Sequence, residues 1–188
     1  MKEFAEKGYE SASTNHIVKQ AGIGKGMLFY YFKSKQDLYH YLIAYSIQFI
    51  EINYMNKIDK NETDFIERLK QATVLKMKTY NAHPDVFHFL GTIFMNETID
   101  LPTDLQNQYE ELQKTGYSLL YDNIDTSLFR NDVDVEKAFQ LIRWSIEGYQ
   151  DDLIQRLQGY NLAEVNFDPL WKEFFDYLDV LKTAFYTS

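Results

Sequence analysis

Lys19, Lys25, Lys33 and Lys35 lie within residues 11–36, SASTNHIVKQAGIGKGMLFYYFKSKQ, a window without Asp or Glu in a chain of formal net charge -9. Four ammonium groups with no acid to neutralise them make a local attractor for phosphate. Gly24 and Gly26 flank Lys25 and remove side chains where a helical segment begins, which lets backbone N–H groups come close to an anion. Met27, Phe29 and Tyr30 follow at once. An apolar side chain can touch a thymine methyl, and a phenol can bond phosphate or a base edge. The chemistry that these residue types share is contact with duplex nucleic acid, with Lys25 reaching phosphate or a base.

Charge is divided along the chain in the same sense. Residues 1–40 carry a net +2 and the remainder -11, so an acidic body would repel the phosphates that the N-terminal end attracts. Other chemistries find no support. His16, His40, His83 and His88 show no metal-ligand spacing, and the chain has no Cys for thiolate ligation, disulfides or cysteine catalysis. The glycines at 22–26 do not form a phosphate-binding P-loop, since no strand precedes them and no G-K-[ST] closes them. No nucleophile, base and orienting group stand out together. We therefore expect no enzyme, metal or cofactor.

These residues need elements to position them, and the elements read as helices throughout. The fold class expected is all-α, a small N-terminal helix-turn-helix domain followed by a larger helical domain. Hydrophobic content of 45% suffices for a core, and only 3 prolines leave long helices uninterrupted. Gly8 stops a first helix, Ser13 caps a second over 14–21, and a third spans 25–32. Ser34 followed by Asp37 opens a fourth, carried by Leu38, Tyr41, Leu42, Tyr45, Phe49 and Ile52 to about Asn56. The polar stretch 56–61 marks the boundary between a domain of residues 1–56 and one of 57–188. In the second, Asn61 is the expected cap of a helix to residue 81, Pro84 starts another, Thr103 a third, and helices over 135–158 and 168–186 end the chain. No apolar run reaches the length of a membrane span, no secretory signal is present, and a cytoplasmic protein is expected.

Residues 4–42, FAEKGYESASTNHIVKQAGIGKGMLFYYFKSKQDLYHYL, resemble the DNA-binding domain of TetR/AcrR-family transcriptional regulators. The resemblance rests on the FAEKGYE lead-in, the turn from Ile17 to Ile23, the GKGMLFYYF helix and the KSKQDL entry to the next helix. It implies double-stranded operator DNA as partner and DNA contacts from Phe29, Tyr30 and Lys35. With Ser13, Thr14, Lys25, Gly26 and Met27 these form the expected interface, while Leu28, Tyr31 and Phe32 are expected in the core. Because the family's first helix begins earlier, the resemblance also implies that native residues precede Met1. A protein lacking that part would be a helical effector-binding or interaction dimer without DNA binding, and this is the alternative reading.

For the larger domain the resemblance implies an unidentified small effector and a homodimer through the last two helices. Ala138, Ser145 and Gly148 are small enough for close helix approach. A wide stripe from Leu170 to Phe185 needs a second surface to cover it. Phe87, Phe94, Tyr117, Tyr121, Trp144 and Tyr149 are the aromatic candidates for the effector pocket. The function expected is a ligand-responsive regulator, a repressor released from a palindromic operator.

Overall fold

Helical periodicity, caps and glycine breaks produce nine α-helices among the described residues of the computed structural model, 1–94 and 101–187. They are α1 (Lys2–Ser11), α2 (Thr14–Gln20), α3 (Lys25–Tyr31), α4 (Lys35–Asn53), α5 (Phe65–Ala82), α6 (Pro84–Phe94), α7 (Thr103–Tyr121), α8 (Val135–Leu157) and α9 (Asp168–Phe185). An isolated antiparallel bridge between Phe129 and Tyr186 is the sole extended pairing among those residues. None of the described helices is long and apolar enough to cross a membrane.

Two compact units result. The first comprises Met1–Asn56 with Thr79–Thr115, the second Lys57–Lys78 with Gly116–Ser188. The packing unit that holds the helix-turn-helix is thus larger than residues 1–56, and it takes in α6. Phe4 explains why. Its ring lies 5.0 Å from Tyr39 and 6.2 Å from Phe89, and Tyr39 meets Phe89 edge-on at 5.6 Å, so α1, α4 and α6 share one aromatic centre. Burial there pushes the Tyr39 hydroxyl up to about 12. Ile43, Ile47 and Ile50 extend the same core along α4.

The second unit is built on Phe65, Ile66, Phe129, Ile142 and Leu178. Its α5 is capped by Asp64, whose carboxylate accepts from the Ile66 and Glu67 N–H groups, and not by Asn61 as the sequence suggested. Asp64 also receives Tyr186 Oη at 3.0 Å and Lys182 Nζ at 3.0 Å, partners far away in the chain that Asn61 does not have. Arg68 is buried in this unit and pairs with no carboxylate among the described residues. Its guanidinium donates to the carbonyls of Glu62, Leu119, Asp122 and Asn123, so it closes the C-terminal end of α7.

Candidate nucleic-acid interface

The turn between α2 and α3 is set by Gly22, whose φ of +67° lies in the left-handed region. The Gly22 N–H donates to the Lys19 carbonyl and the Ile23 N–H to the Val18 carbonyl, which closes α2 in a Schellman motif and redirects the chain. Ser13 Oγ accepts from the His16 N–H and opens α2, as expected, and Ser34 Oγ accepts from the Asp37 N–H and opens α4. Val18 and Leu28 are buried beneath the crossing helices.

One face of α3 is left open by this packing. Leu28 is 5% exposed and anchors the helix, whereas Tyr30 is 82% and Met27 55% exposed, with Phe29 beside them at 39%. Lys25 is exposed and its Nζ stands 5.9 Å over the Phe29 ring, one helical turn away. A Cβ added at Gly24 or Gly26 would meet nothing within 4 Å, so the chain's own packing does not require glycine at either position. Thr14 is half-buried in the first turn of α2 and Ser13 remains exposed.

Two placements differ from the sequence reading or add to it. Tyr31 was expected in the core and is 72% exposed, meeting Tyr30 edge-on at 5.1 Å. Phe32 adopts an extended backbone (φ -122°, ψ 119°) past the end of α3 and turns in to pack on Tyr41. With Leu28 already filling the space below a two-turn helix, Tyr31 stays outside. Lys35 is already engaged. It donates to the Glu10 carbonyl at 3.0 Å and stands 4.7 Å over the Tyr9 ring, tying α4 to the end of α1.

A brace that sequence reasoning missed holds α2 in place. Glu3 is buried in α1, accepts from the Ser13 N–H at 3.0 Å and sits 2.5 Å from His16 Nδ1. The Ser13 hydrogen bond, aided by His16 and Lys7, holds the carboxyl below its ordinary value against the cost of desolvation. No motif signals this contact, because it joins residues ten and thirteen positions apart.

Residues 1–42 match the family model of bacterial regulatory proteins of the tetR family. The helix-turn-helix domain is TetR-family. Similarity extends beyond it. An HTH-type transcriptional regulator of Staphylococcus aureus (strain USA300) is 28% identical over 166 residues, 81% of this chain and 85% of the relative. Among solved structures, a ketosteroid transcriptional regulator of Mycobacterium tuberculosis aligns over 100% of this chain and 91% of its own, with TM-score 0.60 and 18% identity. The transcriptional regulator FadR from Bacillus subtilis, in complex with stearoyl-CoA, aligns over 94% of this chain and 92% of its own, with TM-score 0.51 and 22% identity. Both share the all-α fold of this chain.

The residues proposed from sequence for an effector pocket fall in both units. Phe87 belongs to the first and packs on Tyr80, with 5.7 Å between ring centroids. Tyr117 and Tyr121 belong to the second and stack at 4.5 Å, and the Tyr117 hydroxyl bonds Arg143 at 2.9 Å. Burial pushes the Tyr121 hydroxyl up to about 12. Trp144 is 57% exposed on α8. Tyr149 lines a groove of about 350 Å³ between α8 and α9, stacks on Phe174 and donates to the Leu170 carbonyl. The Phe94 side chain lies outside the described residues.

Proposed function

We propose that this chain is a ligand-responsive, DNA-binding transcriptional regulator that acts in the cytoplasm as a homodimer, repressing until a small effector releases it from a near-palindromic operator. The observation that carries the reading is the open face of α3, where Lys25, Met27, Phe29 and Tyr30 project from a helix held by Leu28. In a two-fold dimer, two such helices would enter successive major grooves about 34 Å apart. Ser13, Thr14 and the backbone at Gly26 would set the register on phosphate. Lys25 would add charge, and Met27, Phe29 and Tyr30 would meet base edges.

Dimerisation through α8 and α9 is supported by what those helices leave uncovered. Leu141, Trp144, Tyr177 and Val180 are exposed, and a Cβ at Gly148 would meet nothing within 4 Å. Stearoyl-CoA bound to the Bacillus subtilis neighbour supports a small molecule as effector in this fold. Release requires that the effector bind the DNA-free arrangement more tightly than the DNA-bound one.

Footprinting on the chain's own promoter region tests the proposal. Protection of a two-fold-related sequence is expected, and Tyr30→Ala should abolish it while leaving helical content unchanged. A folded protein that protects no promoter sequence would favour the interaction-dimer alternative.

A further inference from the structure

A cavity of about 510 Å³ lies between α4 and α7 within the first unit. Its α4 wall carries Tyr41, Tyr45, Gln48 and Glu51, and its α7 wall Glu111 and Leu112. Such a volume suits an organic molecule of moderate size. No Lys, Arg or His lines it. Tyr41 is 54% and Tyr45 44% exposed, and their rings stack at 6.5 Å along one helix face. Glu51 and Glu111 are exposed, and neither has an ion pair among the described residues.

Solvated carboxylates alone are ordinary on an acidic protein, and exposed tyrosines alone are too. Together, two unneutralised carboxylates and two stacked aromatic faces around one cavity offer what a bulky organic cation needs. The rings supply quadrupole attraction and apolar area, and the carboxylates balance charge at long range. An anion of the same shape would be repelled by both.

We infer that this groove is a binding site for an organic cation with aromatic or quaternary character. The inference rests on the proposed function for its regulatory meaning, since it names the class of effector. A physical connection to the reading head exists. Tyr41 packs on Phe32 at 5.2 Å, Tyr45 on Phe49 at 6.4 Å, and Phe32 is the C-cap residue just past α3. A ligand seated on Tyr41 and Tyr45 therefore contacts the row of rings that positions the end of the recognition helix.

Calorimetry on the full chain with tetraphenylphosphonium and the size-matched anion tetraphenylborate tests the site without DNA. Saturable binding of the phosphonium and none of the borate is expected. Tyr45→Ala should weaken the phosphonium by about tenfold, the scale of a partly desolvated cation–π contact. Glu51→Gln with Glu111→Gln should remove the preference for positive charge, and circular dichroism checks that both variants are folded. Equal binding of the two ions, no saturable binding of the phosphonium, or unchanged selectivity in the double glutamine variant would overturn the inference. Operator affinity measured with and without phosphonium separates the two readings. A protein that never binds DNA defeats the proposed function while the calorimetry still decides the site.

Discussion

Under the proposed docking of α3 on DNA, Gly26 and Glu3 are single residues that serve the interface without touching a base. Open space around Gly26 means that a side chain there costs the fold little beyond surface effects, while it would stand between the α3 backbone and phosphate. Gly26→Leu should therefore keep its thermal midpoint within a few degrees and lose operator affinity by an order of magnitude or more, read by fluorescence anisotropy. Glu3 works from beneath. Its folded carboxyl lies below the ordinary value, so its contribution is present above the usual glutamate range and is lost as pH falls through the folded value. Glu3→Gln should be less stable than the wild type at neutral pH and lose that difference on acidification, in chemical denaturation at a series of pH values. Of these two residues, the glycine's place in the first turn of α3 is legible in the sequence, because it sits in a local motif. Glu3 is not, since its partners Ser13 and His16 are chosen by how α1 folds back on α2.

Elements were most legible where a local rule determines them. Gly22 and its Schellman closure and the Ser13 and Ser34 caps all follow from short stretches of chain. The face that each helix buries was harder to read. Helix α4 carries apolar residues on more than one face, and the structure buries Tyr39, Ile43, Ile47 and Ile50 while Tyr41 and Tyr45, equally good markers of periodicity, line an open groove. Tyr31 failed for a related reason, since a two-turn helix needs a single anchor. Arg68 was invisible because its acceptors are backbone carbonyls in two separate segments. Arg68→Met should cost about 3–5 kcal/mol in equilibrium unfolding, because it leaves buried carbonyls without donors at the end of α7.

At the scale of the whole molecule, the proposed function requires two reading heads at a fixed spacing. The α8 and α9 surfaces offer the means, and Gly148→Trp together with Val180→Glu should give a folded monomer by light scattering that binds half-sites weakly. If the proposal holds, an acidic body attached to a lysine-bearing head makes phosphate contact both local and countable. The most direct test is the slope of operator affinity against salt concentration for the wild type and for Lys25→Ala. A steep slope is expected, reduced by about two in the variant, since each half of a dimer loses one phosphate contact. Operator binding that hardly changes with salt, or a slope that Lys25→Ala leaves as it was, would contradict the reading of α3 as the helix that docks on DNA.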